Sequence, residues 1–351
     1  MKFENLILAV PGWLASEGPE NGIVISSRAR LARNVAGFSY VHRTGEDRLS
    51  EIITTVLDGA RISGYDPLNY FRNEDLDELH KNIFIERHLI SPALASHSSN
   101  RGVLVLEGER CSILINEEDH LRIQSFRSGF NPIGAWEDVD SIDDRLGQTI
   151  PFSFSRKYGY LTACPTNIGT GLRVSILIHL PALVLTKEIQ HVIHSAGQIG
   201  LAVRGYYGEG SDVIGNLFQI SNQASFGKAE RIIIDDLISA VMKIIEYEKK
   251  ASETLMKEAR YQIEDKVWRS IGILKSARML STNEFMNLSS AVRLGHFLRL
   301  LDKPNIESLN EMMVMTQPAH LQARHGRLAE ATERDTMRAE LVRERFIDVK
   351  V

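Results

Sequence analysis

Three apolar runs follow one another between residues 102 and 126 with almost no chain between them. Residues 102–107, 112–115 and 121–126 are each of strand length and rich in β-branched and aliphatic side chains. The connections are Gly108-Glu-Arg110 and Asn116-Glu117-Glu118-Asp119-His120. A parallel pair needs a crossover of a dozen or more residues, so these runs can only pair as antiparallel hairpins. The second connection places three consecutive carboxylates at the end of a buried strand. Adjacent carboxylates repel, so at least one must be held by a cation, a metal or a bound substrate unless the turn is solvated. Arg122 stands among apolar residues in the following run. Either this is a solvated acidic turn between hairpin strands, or acid and base have been placed side by side on a rigid scaffold.

Further strand-like runs occur at 22–26, 173–179, 201–204 and 217–221, with a helical stretch predicted over 181–198. From Lys228 the texture changes. Helical spacing runs from 232 to about 259 and returns over 266–279, 282–300 (with Ser281 as N-cap), 306–315 and 326–346. The pattern predicts an α+β fold. Residues 1–255 form a domain with a mainly antiparallel sheet flanked by helices, and residues 256–351 form an all-helical C-terminal domain. A net charge of −4 gives no reason to expect nucleic acid. Cys111 and Cys164 are the only cysteines, too few for a disulfide scaffold and without metal-ligand spacing. The apolar run at 6–10 is short of a signal-peptide core, and no run approaches the length of a membrane span, so a cytoplasmic protein is expected.

The familiar nucleotide and metal signatures are missing. There is no Gly-x-x-x-x-Gly-Lys-Ser/Thr loop, no His-Arg-Asp or Asp-Phe-Gly, and no His-Glu-x-x-His. Arginine, in contrast, is abundant: 28 Arg stand against 13 Lys. Its planar fork of donors suits phosphate and carboxylate. Arg28 and Arg30 follow an apolar run at period two and share one face of an extended segment. Arg122, Arg173 and Arg204 likewise interrupt apolar runs. Each could serve an internal ion pair; converging on one cleft, the five would hold a triphosphate without a phosphate loop. Cys164, in Cys164-Pro-Thr-Asn-Ile-Gly-Thr-Gly171, is either a small buried hydrophobe or a reactive thiolate beside arginines.

Together these blocks resemble the ATP:guanido phosphotransferases, the family of arginine and creatine kinases. The matching stretches are SSRARLARN (26–34), NEEDHLRIQ (116–124), TACPTNIGTGLRVS (162–175) and RGYYGEG (204–210), and they occur in family order. The resemblance implies a guanido-kinase-like catalytic domain using ATP, with Mg²⁺ held mainly through the nucleotide phosphates and no metal-binding residues of the protein's own. The implied nucleotide contacts are Ser26, Ser27, Arg28, Ala29 and Arg30; His88; Arg122; Arg173, Val174, Ser175, Ile176 and Leu177; and Arg204, Gly205, Tyr206, Tyr207, Gly208 and Glu209. It also implies that Glu118 holds the guanidinium and accepts its proton, with Glu117 as a further carboxylate, Glu209 as the second clamp and Cys164 as a thiolate on a guanidinium nitrogen. Tyr207 stands where metabolic members have another arginine. The chemistry is coherent: a guanidinium holds its proton far above neutral pH and attacks phosphorus only once oriented and deprotonated.

Kinases of free amino acids and creatine carry a helical domain before the catalytic one. Here SSRAR begins at residue 26, and a helical domain follows instead. That arrangement, with Met-Thr-Gln-Pro-Ala-His-Leu-Gln (315–322), is similar to the bacterial protein-arginine kinases. Arg334-Asp-Thr-Met-Arg-Ala339 matches their phosphoarginine-binding motif, implying that Arg334 and Arg338 fork a phosphate while Asp335 meets a guanidinium, Ala339 completing the motif. The resemblance further implies protein substrates with exposed arginine, marking for Clp-type proteolysis, stress regulation, a zinc-binding activator, a Clp ATPase-protease partner and a homodimer. Two alternatives stand beside it: a kinase for a small guanidino compound, and a catalytically inactive phosphoarginine-binding adaptor.

Overall fold

The computed structural model describes residues 9–97, 99–206 and 213–349, and the side chains of Pro67 and Glu107 are left aside. Its centre is an eight-stranded sheet: β1 (Val24–Arg33), β2 (Tyr70–Arg72), β3 (Gly102–Leu106), β4 (Cys111–Ile115), β5 (Leu121–Ser128), β8 (Leu172–His179), β9 (Leu201–Arg204) and β10 (Leu217–Asn222). The strand order is β2-β3-β4-β5-β1-β8-β10-β9, and each neighbouring pair is antiparallel. The β3–β4–β5 meander is the one demanded by the short connections. A two-stranded ribbon, β6 (Phe154–Ser155) with β7 (Gly159–Tyr160), lies outside the sheet.

Strand alternation divides the sheet into two faces with different jobs. Ala29 and Leu31 of β1, Ile113 of β4, Ile123 of β5, Val174 and Ile176 of β8 and Ile220 of β10 point to one side and are fully buried. Helices α1 (Glu46–Ile62), α4 (Pro132–Gly147), α5 (Pro181–Leu185), α6 (Ile189–Gln198) and α7 (Glu230–Glu258) close over that side. Each such aliphatic side chain contributes about 1.5–3 kcal/mol relative to exposure, so this face anchors the sheet. The opposite face carries the arginines. Two short helices, α2 (Glu78–Glu86) and α3 (Pro92–Ala95), border it.

The C-terminal helices are α8 (Arg260–Ser276), α9 (Thr282–Phe297), α10 (Ile306–Met315), α11 (Pro318–His325) and α12 (Ala331–Arg345). The apolar faces of α8, α9, α10 and α12 form a second core that also takes in Trp13, Ile25, Phe126, Leu177 and Leu217 from the sheet region, while Leu321 of α11 packs with Met337 and Leu341 in a smaller cluster. A register shift between Val24 and Ser26 lets Val24 remain in the first core while Ile25 joins the second.

Some boundaries differ from the sequence expectation. The stretch 181–198 is two helices, interrupted where Lys187 takes a left-handed backbone (φ 64°). The helix expected at 266 begins at Arg260, because the single residue Ala259 suffices to turn the chain after α7. The helix expected from 326 starts at Ala331: Gly326 ends α11 in the left-handed region, and the Glu330–Glu333 capping box opens α12. Helices 282 and 306 start where expected, the first with the Ser281 side chain accepting from the Glu284 N–H.

One buried carboxylate is structural. Glu248 on α7, 1% exposed, accepts the N–H groups of Ala182 (2.8 Å) and Leu183 (3.0 Å) at the start of α5, which has no side-chain cap of its own. Burial pushes its carboxyl up to about 7, against the pull of those two N–H groups. The folded state therefore holds this proton more tightly than the unfolded chain, whose glutamate titrates near about 4.3. The stability it contributes is fully present below about 4.3 and is lost as pH rises to about 7. Thermal melting of Glu248→Gln should show the wild type losing ground to the variant across that window and no further change above it.

Candidate active site

The register of the central strands assembles the arginines. Arg30 lies opposite Arg173 on β8 and Gln124 on β5, Ala32 lies opposite Arg122, and Arg204 on β9 lies opposite Gln219. Arg28, Arg30, Arg122, Arg173 and Arg204 thus share one sheet face and line a single cavity of about 730 Å³, with His88, Glu118 and Cys164 on its walls. Burial pushes the Arg28 guanidinium down to about 9, and burial with the neighbouring Arg28 and Arg173 also pushes Arg30 well down. Guanidinium groups in proteins keep their proton, so the strain is held as positive potential. The Nε atoms of Arg28 and Arg30 are buried with no hydrogen-bond partner among the described residues, and buried donors of this kind call for an acceptor. An anion with several oxygens fits.

Two of these cations are steered by neutral neighbours. Arg28 donates to Gln124 and lies over the Phe126 ring, 4.8 Å from its centroid. Arg173 donates to Ser221 Oγ at 3.1 Å. Gln124 in turn donates to the carbonyls of His88 (3.1 Å) and Leu89 (3.2 Å), which ties the loop after α2 to β5. His88 sits in the left-handed region (φ 59°), edge-on to Trp13 and Tyr206. Burial first, then Arg28 and Arg30, lower its imidazole to about 3, so it stands neutral. Trp13, Phe126, His88 and Tyr206 wall a small adjoining recess, together with Ser26, Ser175 and Leu177.

The acidic turn opens with Asn116 in the left-handed conformation that Asn tolerates (φ 58°), its side chain donating to the carbonyls of Leu49 and Asn100. The Glu117 side chain is 6% exposed, paired with Arg122 and receiving the Ser91 hydroxyl. Glu118, 44% exposed, faces the cavity with Arg122 Nη2 at 3.2 Å. Burial raises its carboxyl above the ordinary range, and Arg122 opposes that rise. Cys164 lies across the cavity with its Sγ 3.0 Å from Thr166 Oγ1.

Not every expected contact faces the cavity. Ala29, Val174 and Ile176 lie in the first core on the other face of the sheet. Ser27 is fully buried, donating to the Gly129 carbonyl and accepting from the Asn131 N–H. Gly205 is buried beside Tyr206, while Tyr207, Gly208 and Glu209 lie outside the described residues. In the C-terminal helices, Arg338 is 1% exposed: its Nε donates to the Thr316 carbonyl (2.8 Å), and its Nη1 to the Leu280 carbonyl (2.7 Å) and to Asp335 (2.6 Å). Arg334 donates to the Ala329 carbonyl, and Ala339 is buried. The motif helix therefore presents Arg334 and part of Asp335 at its surface and turns Arg338 inward. Gln124, Gln219 and Gln223 were not anticipated, although Gln124 stands two residues after Arg122 and shares its face. Among the described residues no group of three or more His, Cys, Asp or Glu could hold a metal ion. No helix there is long and apolar enough to cross a membrane.

Residues 48–251 match the family "ATP:guanido phosphotransferase, C-terminal catalytic domain", and residues 260–351 match "Protein-arginine kinase McsB C-terminal domain". A protein-arginine kinase of Halothermothrix orenii is 45% identical over 334 residues, 95% of this chain and 96% of its own length. The protein-arginine kinase of Bacillus subtilis is 42% identical over 341 residues, 96% and 94% of the two chains. Among solved structures, a lombricine kinase superposes with a TM-score of 0.56 at 23% identity, over 70% of each chain. A duplicated taurocyamine kinase from Schistosoma mansoni gives 0.55 at 24% identity, over 66% of this chain and 33% of that one. These two likenesses speak to the fold.

Asp119 binds three of the motif blocks together. Its Oδ1 accepts the Asn34 side-chain amide (2.6 Å) and the Ala163 N–H (2.6 Å), while Asn34 Oδ1 accepts the His120 N–H (3.0 Å). The carboxylate, 2% exposed, thus fixes the residue before Cys164 relative to the turn that carries Glu118. Asp119→Ala leaves the Ala163 N–H and one of the two Asn34 amide hydrogens without an acceptor, while the Leu161 carbonyl still accepts from Asn34. At about 1–3 kcal/mol each, the loss should be about 2–6 kcal/mol in denaturant unfolding.

Proposed function

The chain belongs to the protein-arginine kinases of the ATP:guanido phosphotransferase family, and from that premise we propose that it moves the γ-phosphoryl group of ATP onto arginine side chains within proteins. The observation that carries this reading is the convergence of five arginines, Glu118 and Cys164 on one cavity. In this reading Arg28, Arg30, Arg122, Arg173 and Arg204 grip the nucleotide phosphates in place of a phosphate loop, and neutral His88 closes the nucleotide end. Glu118 orients the acceptor guanidinium and takes its proton as the nitrogen lone pair forms the N–P bond and the P–O bond to ADP breaks. Glu117 holds Arg122 in place for that step, Cys164 contacts a second guanidinium nitrogen, and Glu209 is the further clamp. Mg²⁺ would be carried by the nucleotide's own phosphates and offset their charge.

The acceptor end supports a polypeptide substrate. Phe154, Tyr158 and Phe226 are exposed together, with Tyr158 and Phe226 ring centroids 6.4 Å apart. Ser225, next to Phe226, donates to the carbonyls of Thr166 and Ile168 in the loop that carries Cys164. An arginine entering from this side lays its flanking chain against exposed aromatic surface. The reading extends to a catalytic domain over 1–255 and a helical domain over 256–351 that binds phosphoarginine through Arg334–Ala339 and forms a dimer. It also includes a cytoplasmic setting, a zinc-binding activator, stress regulation and delivery of marked proteins to a Clp-type protease.

Four outcomes follow. Incubation with ATP and casein should yield acid-labile phosphoarginine by mass spectrometry, whereas turnover of free arginine alone would overturn the choice of substrate. Glu118→Gln should lower kcat by about 10²–10⁴-fold while calorimetry shows ATP still bound. The raised carboxyl must be ionised to accept a proton, so wild-type kcat should fall with decreasing pH through a midpoint above about 4.3, and that limb should vanish in the variant. Paired Tyr158→Ser and Phe226→Ser changes should raise KM for casein and leave KM for ATP unchanged.

A further inference from the structure

Helix α11 begins at Pro318 with no side-chain cap from its own N-cap residue, Gln317. The first N–H groups of a helix need acceptors from elsewhere. Here they come from a residue more than two hundred positions earlier. Glu86, the last residue of α2, accepts the Ala319 N–H on Oε1 (2.8 Å), and the His320 N–H (3.1 Å) and His320 Nδ1 (2.6 Å) on Oε2. Glu86 and His320 are 8% and 2% exposed. A carboxylate at a helix N-terminus is also favoured by the helix dipole.

The next residue continues the same junction. Arg87 is fully buried; it forms a two-pronged pair with Glu109 (2.7 and 2.6 Å), donates to the Ala9 carbonyl (2.8 Å) and lies 3.4 Å from His320 Nε2. The residue after that is His88, on the wall of the cavity, its carbonyl held by the Gln124 that also steers Arg28. Three consecutive residues therefore span the distance from helix to site. Glu86 and Arg87 clamp α11, and His88 faces the nucleotide end. The far side of the same junction, the Thr316 carbonyl just before α11, is held by Arg338 from the motif helix.

We propose that Glu86 and His320 form a latch through which the C-terminal helices position the His88 wall, so that nucleotide binding in the cavity and the seating of α11 are energetically coupled. Both are positioning residues, since neither lines the cavity of the arginines. The inference rests on the reading of that cavity as the ATP site. Coupling of this kind is reciprocal: if the latch favours nucleotide binding, the nucleotide favours the latch.

The test uses the full-length protein with ATP and casein. His320→Leu removes the side-chain donor, Glu86→Gln weakens the acceptor, and His320→Asn places an amide nitrogen where Nδ1 stands. Each variant is first checked for a cooperative melt. The latch predicts that His320→Leu raises KM for ATP about tenfold while kcat changes less than about twofold, with Glu86→Gln between it and the wild type. His320→Asn should return KM most of the way. In the wild type, saturating ATP should slow hydrogen exchange in the peptide covering 317–322, and in His320→Leu it should not. A merely structural contact would lower the melting temperature without moving KM or this exchange response. Wild-type KM in folded His320→Leu and Glu86→Gln, or exchange at 317–322 indifferent to ATP, overturns the latch while leaving the ATP site standing. Failure of the wild type to bind ATP by calorimetry removes that site and the latch with it.

Discussion

Arg28, Arg30, Arg122, Arg173 and Arg204 are fixed on one face of a single sheet, and like charges held that close push apart. What opposes the repulsion is the other face. Leu31, Ile113, Ile123, Val174, Ile176 and Ile220 are buried beneath helices α1, α4 and α7, and every step of the ladder that positions an arginine also positions one of these. A one-residue slip in β1 would exchange the two sets, placing guanidinium groups in the hydrocarbon core. Register is therefore over-determined, and the charged face is as rigid as the core behind it. The cavity gains preorganisation from that arrangement: donors and charge are already aimed where an anion would sit, and little rearrangement is left for the moment of binding.

Much of this was readable as pattern, and the reasons for the gaps are physical. The meander from 102 to 126 follows from connection length alone. Alternation within SSRARLAR separates Arg28 and Arg30 from Ala29, although a contiguous motif had grouped them as contacts; the structure keeps Ala29, Val174 and Ile176 in the core. Helix ends were missed where one residue decides them, as with Ala259 between α7 and α8 or Lys187 between α5 and α6. No local pattern announces that Asn34 and Asp119, or Glu86 and Ala319, will meet. Those contacts depend on packing between segments far apart in the chain, and they are the ones that hold the site's walls.

The two carboxylates of the acidic turn illustrate how similar residues acquire different chemistry. The Glu117 side chain is turned inward and committed to Arg122 and Ser91, whereas Glu118 is half-exposed and only 3.2 Å from the same arginine. Arg122 thus serves as counter-ion to one and as restraint on the other. Asp119, one residue further, faces inward to Asn34 and Ala163. Three adjacent acids are tolerable because the turn sends them in three directions, and only one of them reaches the open cavity with its proton affinity raised.

Arg338 shows why a motif and a binding surface are different things. As i and i+4 neighbours, Arg334 and Arg338 suggest a fork for phosphate. The folded helix instead directs the Arg338 guanidinium onto two carbonyls and Asp335 in a nearly closed interior. Withdrawing it would leave buried acceptors unmatched, at about 1–3 kcal/mol each. Its physical role is that of a brace. It joins α12 to the Thr316 carbonyl at the α10–α11 junction and fixes the Asp335 carboxylate at 2.6 Å.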